Sequence, residues 1–151
     1  MTPAELRAYL HEQIPLAHAM QVEVLAVDDA FVELGAPLAP NRNHRSTAFG
    51  GSVSALAILA GWGWLRARLA AVEPLPQLVI QRQDIEFLRP VESGFDARCE
   101  APPARDWHRF ERAFAARGRA RLELRVAVRC RGALAAEFRG AYVALGAVAG
   151  D

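Results

Sequence analysis

Net charge is the first thing this sequence lacks: 18 basic residues against 17 acidic ones leave a formal +1 over 151 residues. That balance removes the electrostatic case for nucleic acid or an acidic membrane and leaves a small or neutral partner, or one held at a local patch. Cysteine is nearly absent too, with only Cys99 and Cys130, both on the apolar side of alternating segments. They lack metal-ligand spacing and read as two small buried hydrophobes, with a disulfide as the alternative. His11, His18 and His108 have no partner and no such spacing either, so no metal is expected. The first residues lack the basic, apolar, small-residue run of a secretory leader, which makes a cytoplasmic protein the expectation. Repeats and low-complexity segments are missing, and the length suits one domain, 1–151.

Charge is missing altogether from Thr47 to Leu65, TAFGGSVSALAILAGWGWL, a stretch closed off by Arg45 and Arg66 that reads as one apolar helix opened by Gly50-Gly51. A helix apolar on every face is surrounded either by lipid or by its own protein. Its 19 residues approach the roughly 20 that cross a bilayer. Gly50, Gly51, Gly61 and Gly63, with Ser52 and Ser54, make it small rather than greasy, and the flanking segments alternate as a wrapping sheet would. A buried central helix, not a membrane span, is expected.

Around it, Thr2-Pro3-Ala4-Glu5 is a capping box with proline at the first helical position, predicting a short helix to about Gln13 that Pro15 ends. Leu6, Leu10 and Ile14 form its packing stripe. Residues 21–38 read as a hairpin turning at Asp28-Asp29, with Val32, Leu34, Ala36 and Leu38 on one face. Pro37 and Pro40 release the chain into the loop Asn41 to Ser46. After the helix, Glu73, Pro74 and Pro76 make a stop, and Leu78–Leu88 resumes as a strand whose middle, Gln81-Arg82-Gln83-Asp84, is polar on both faces. Such a strand belongs at an interface, an edge or a site. Arg89-Pro90 breaks it, Glu92-Ser93-Gly94 turns, and Phe95, Ala97, Cys99 and Ala101 line the next strand. Asp106–Arg117 reads as a short helix capped by Asp106 and stopped by Gly118, with Trp107, Phe110 and Phe114 on one side; extended structure is the alternative. Arg119–Cys130 alternates strictly, and Arg131-Gly132 turns into a last strand carrying Leu134, Ala136, Phe138, Gly140 and Tyr142 on one face. Six strands joined by short turns pair antiparallel, and one sheet that must hide an apolar helix curls around it, giving an α+β domain.

This architecture is similar to the hot-dog fold of acyl-thioester enzymes. The stretch Asn41-x-Asn43-His44-x-x-Thr47-Ala48-Phe49-Gly50-Gly51-Ser52, then Ala55-Leu56-Ala57 and Leu59-Ala60-Gly61-Trp62, resembles the thioesterase-like domain that also forms the C-terminal half of YiiD-type acetyltransferases. Asp84-Ile85-x-Phe87-Leu88-Arg89-Pro90-Val91 and Gly118-Arg119-Ala120-Arg121 match the same pattern. The resemblance implies a homodimer or dimer of dimers, a site between subunits, and an acyl-CoA or acyl-carrier-protein substrate. CoA or phosphopantetheine would enter only as part of that substrate, with no separate cofactor.

Thioester hydrolysis needs an activated water, donors for the developing oxyanion, and a slot for the acyl chain. Gly50 and Gly51 would supply amide donors at a helix N-terminus, or else serve helix–sheet packing. Asn43 would orient a water and His44 accept its proton, or both are ordinary loop residues. Asp84 is either a base in a cleft or the partner of Arg82 or of an arginine on a neighbouring strand. Arg45 and Arg89 would hold CoA phosphates, or are solvated surface groups. Thr47, Phe49 and Ser52 complete the expected substrate-binding set. Ala57, Ile58, Gly61, Trp62 and Trp64 either shape the acyl slot or pack the core. Many hot-dog thioesterases share His-Gly-Gly at the start of this helix and an acid nine positions later. Here Phe49 and Ile58 stand in those places, and the helix has no carboxylate. Another residue then activates water, or the protein binds acyl thioesters without cleaving them.

Overall fold

The alternating segments do become strands. The computed structural model describes residues 1–146; residues 147–151 of the expected domain lie outside the described residues. β1 (Glu23–Val27) and β2 (Phe31–Ala36) form the hairpin, and the Asp28 carboxylate holds its turn by accepting from the amides of Ala30 at 2.7 Å and Phe31 at 2.9 Å. β3 (Gln77–Phe87), β4 (Phe95–Glu100), β5 (Arg119–Cys130) and β6 (Ala133–Leu145) complete an antiparallel sheet in the order β1-β2-β4-β5-β6-β3. In β5 the pattern translates directly: Ala120, Leu122, Leu124, Val126 and Val128 are buried, while Arg119, Arg121, Glu123 and Arg125 are exposed. Both cysteines are free thiols, and burial pushes that of Cys99 up to about 12.

α1 (Pro3–Gln13) opens on the capping box, with Glu5 N–H donating to Thr2 Oγ1 at 3.2 Å and Thr2 N–H to Glu5 Oε2 at 2.6 Å. Its Leu6 and Leu10 are fully buried. α1 stops at Gln13 ahead of Pro15 as expected, and Pro15 also starts a second short helix, α2 (Pro15–Ala19), that the pattern did not announce. Proline suits a first helical position, where its missing N–H would be unpaired anyway.

The central helix, α3 (Gly50–Arg68), lies against β2, β4, β5, β6 and β3. It starts later than the uncharged stretch, since Ala48 pairs with Arg42 in an isolated bridge and belongs to the loop. Arg66 does not close it. That residue sits inside the helix at 1% exposure, donating to the carbonyls of Pro76 at 3.0 Å and Leu69 at 3.1 Å. Burial lowers its pKa from the ordinary arginine value. Enclosure is also incomplete: Val53, Leu56, Ala57, Ala60, Trp64 and Leu65 are buried, but Gly51 is exposed and Ser54, Ala55, Ile58 and Trp62 are half-buried. The cause is topological, because the sheet ends at β3, which among the described residues pairs only with β6. One strip of α3 is left beside an open strand edge.

α4 (Ala104–Arg117) is helical throughout, and Gly118 ends it with φ +65° as expected. It begins before Asp106, with Pro103 at the N-cap, so Asp106 is not the cap but an acid in the first turn, where a negative charge suits the helix dipole. Its Trp107 meets Trp64 of α3 edge-on at 5.3 Å. No helix among the described residues is long and apolar enough to cross a membrane.

Candidate functional site

The loop before α3 is built by two asparagines. Asn41, at 2% exposure, donates to the carbonyls of Met20 at 2.9 Å and Pro37 at 2.8 Å, while its own carbonyl accepts from Phe49 N–H at 2.7 Å. Asn43 organises the turn. Its Oδ1 accepts from the amides of Arg45 at 2.8 Å and Thr47 at 3.2 Å, and its Nδ2 donates to Thr47 Oγ1 at 2.9 Å. Ser46, at φ +59°, lets the chain reverse between them. The Asn43 carboxamide is thus committed to holding the loop, which makes it a positioning group, and Thr47 is its partner. His44 and Arg45 ride exposed on this loop. Ala48 N–H donates to Val91 O at 2.8 Å, tying the loop to the segment after β3 that carries Arg89.

At the start of α3, Ser52 and Val53 donate to Phe49 O at 2.9 and 3.1 Å, but the amides of Gly50 and Gly51 have no partner among the described residues. Helix N-terminal amides carry partial positive charge, and no acidic side chain in this first turn offsets it. The Phe49 ring, 58% exposed, folds over Gly51, where a Cβ would overlap it. A Cβ on Gly50 would lie 3.5 Å from Phe87 Cζ. Two bare amides therefore open α3 beside the Phe49 ring and the end of β3. Leu88, 44% exposed, extends the apolar lip, and Leu88 and Arg89 are both pinned by donating to Ala135 O, at 2.8 and 3.2 Å. Arg42, Arg45 and Arg89 are exposed without an ion-pair partner among the described residues. Ser52 is half-buried in the first turn.

The structure thus gathers Asn43, His44, Thr47, Phe49, Gly50, Gly51, Ser52 and Arg89 around one helix end. It does not bring Asp84 there. Asp84 pairs in register with Arg139 of β6 on the sheet face turned away from α3, 76% exposed and 3.8 Å from the Arg139 guanidinium. Side chains alternate along a strand, so the preceding residue, Gln83, faces α3 and accepts from Ser54 Oγ at 2.8 Å. Sequence reasoning missed Gln83, because four successive polar residues hide which one points inward. An irregularity between Ile80 and Arg82 shifts the alternation further. A depression of about 880 Å³ lies on that outer face, with Asp84, Glu86, Arg125 and Arg139 among its lining residues.

Comparison with known proteins places this arrangement. No curated protein matches the sequence. Among solved structures, a putative thioesterase from Shewanella oneidensis is 33% identical, with 95% of this chain and 96% of that one covered at a TM-score of 0.81. A protein of unknown function from Chlorobaculum tepidum TLS is 27% identical over 97% of this chain and 98% of the other, with a TM-score of 0.87. A Haemophilus influenzae thioesterase, 17% identical over 97% and 92%, shares the fold at a TM-score of 0.74. The family model described as "Putative thioesterase (yiiD_Cterm)" matches residues 3–146. With that match over nearly its whole length and the six-stranded sheet packed on α3, the chain belongs to the putative thioesterase (yiiD_Cterm) family and has the hot-dog fold.

Proposed function

We propose that the protein hydrolyses acyl thioesters of CoA or of an acyl-carrier protein, at the N-terminus of α3. The observation that carries this is the pair of amides at Gly50 and Gly51, without a partner among the described residues, on glycines that border the Phe49 and Phe87 rings. The thioester carbonyl accepts from these amides, which need no reorganisation as negative charge develops on its oxygen. His44 takes the proton of the attacking water, on a loop that Asn43 and Thr47 hold in place. Arg45 and Arg89, without carboxylate partners among the described residues, receive the phosphates of the carrier arm. Asp84 takes no part in this mechanism within one copy, because it faces the other side of the sheet.

The substrate enters between two copies. β3 is an 11-residue edge strand, and Val79, Phe87 and Leu88 are 47%, 53% and 44% exposed along and beyond it. An open strand edge of that length, apolar toward both ends, is a pairing surface, and a second copy closes both it and the uncovered strip of α3. A homodimer, or a dimer of two such dimers, is the expected species. Sedimentation should therefore show no monomer at micromolar concentration, and Val79→Lys should produce one. The two free thiols favour a cytoplasmic setting.

Following free-thiol release over acyl-CoAs and acyl-carrier proteins tests the activity. His44→Ala should lower kcat about 10²-fold, and Asn43→Ala about tenfold through loss of loop order. Unchanged rates in both would remove that loop from the mechanism. One observation favours a second reading: α3 has no carboxylate, and Ile58 occupies the open strip. A non-catalytic acyl-thioester binding module fits that, and calorimetry that finds tight binding with the thioester recovered intact would establish it.

A further inference from the structure

We infer that the Ser54–Gln83 pair selects acyl groups bearing a hydroxyl a few carbons from the thioester, an inference that rests on the proposed placement of the thioester carbonyl at Gly50 and Gly51. From those amides one apolar path leads along the surface. It follows the half-buried strip Ala55, Ile58 and Trp62 of α3 and the half-buried Leu78, Ile80 and Ile85 on the facing side of β3. Helix and strand run antiparallel along this seam: Gly50 lies by Phe87, Ser54 by Gln83, and Trp62 donates to Leu78 O at 3.1 Å. An acyl chain that starts at the amides and stays in apolar surroundings follows the same course.

Ser54 and Gln83 interrupt that course. Ser54 Oγ donates to Gln83 Oε1 at 2.8 Å, which fixes the carboxamide and leaves Gln83 Nε2 with no partner among the described residues. A carboxamide titrates nowhere near neutral pH and is no base, so its role is to donate and accept hydrogen bonds. Gln83 is exposed in one copy; once a second copy covers the seam, a single fixed polar pair among apolar neighbours sets orientation and specificity. The distance is informative. Ser54 lies four residues, just over one turn, beyond Gly50, a rise of about 6 Å. With carbon–carbon bonds of about 1.5 Å, that places the pair beside roughly the third to fifth acyl carbon. A hydroxyl there both donates and accepts, so it satisfies the Ser54 oxygen and the Gln83 amide together. An unsubstituted chain leaves the amide buried against methylenes when the second copy closes the seam, and an unpaired buried donor is penalised.

The test compares 3-hydroxydecanoyl-CoA and 5-hydroxydecanoyl-CoA with decanoyl-CoA on the purified full chain, reading kcat/KM, and repeats the comparison as Kd with the uncleavable thioether analogues. One of the hydroxylated substrates should be preferred about tenfold or more. Gln83→Leu should bring the ratio to one, whichever way the absolute rates move, and Ser54→Ala should lower it partly. A ratio of one in the wild type, or an unchanged ratio in Gln83→Leu, overturns the inference while leaving thioester hydrolysis standing. Absence of all hydrolysis, with the thioether Kd ratio still dependent on Gln83, would instead sink the hydrolytic reading and uphold this one.

Discussion

Gly50→Pro should slow thioester hydrolysis about 10²–10³-fold while leaving the fold intact. Gly50 is the first residue of α3, a position where proline is favoured because its amide makes no helical bond. The residue before it, Phe49, is already extended at φ −62° and ψ 132°, the conformation that a following proline requires. A Cβ there makes only ordinary contact with Phe87 Cζ, at 3.5 Å. The substitution therefore removes one N–H and little else. Loss of a single oxyanion donor costs about 2.7–4 kcal/mol of transition-state stabilisation. The effect should fall on kcat, since the ground-state carbonyl carries less charge than the transition state. The check is a pair of measurements, steady-state kinetics on the best acyl-CoA and a melting curve. Full activity with a native melting temperature would mean that the Gly50 amide does not face the reacting carbonyl.

Much of this arrangement is legible in the residues. β5 declares itself because every second side chain is apolar over twelve positions, and the Thr2–Glu5 box marks its helix start by geometry alone. Gly50-Gly51 and the absence of a carboxylate on α3 are equally plain in the sequence. Faces are harder. Asp84 and Gln83 are adjacent polar residues on one strand, and only the register with β6 tells which of them looks at α3. Arg66 hides for a different reason: its burial depends on the carbonyls of Leu69 and Pro76, which the loop to β3 brings within reach. The five residues expected to shape a slot or pack the core divide between both roles. Ala57, Gly61 and Trp64 are buried, whereas Ile58 and Trp62 lie on the open strip. Which side of a wholly apolar helix stays open is decided by where the sheet ends, and periodicity within the helix carries no trace of it.

Gly61 shows how that buried side constrains the site, and Gly61→Val should destabilise the protein by about 3 kcal/mol. The residue is buried in the middle of α3, against Tyr142 of β6. A Cβ there would overlap Tyr142 Oη and approach Cζ at 2.8 Å and Cε2 at 2.9 Å. The tyrosine cannot easily yield: it is fully buried, and its hydroxyl donates to Ile58 O at 2.8 Å. Valine gains a few tenths of a kcal/mol in helix propensity over glycine, too little to offset a strained interior. For a chain of this size, about 3 kcal/mol corresponds to a fall of roughly 6–12 °C in melting temperature. Tyr142→Phe removes the overlapping oxygen but not the ring carbons, so in the double variant it should recover only part of the loss, with a coupling of about 0.5–3 kcal/mol. Denaturant unfolding of the four proteins in the cycle measures it. A melting temperature within about 2 °C of wild type for Gly61→Val, well short of the fall expected from such overpacking, would show that α3 can lift away from β6 without penalty. The Gly50 and Gly51 amides ride on that same helix, so such freedom would also deprive them of the fixed placement on which oxyanion stabilisation depends.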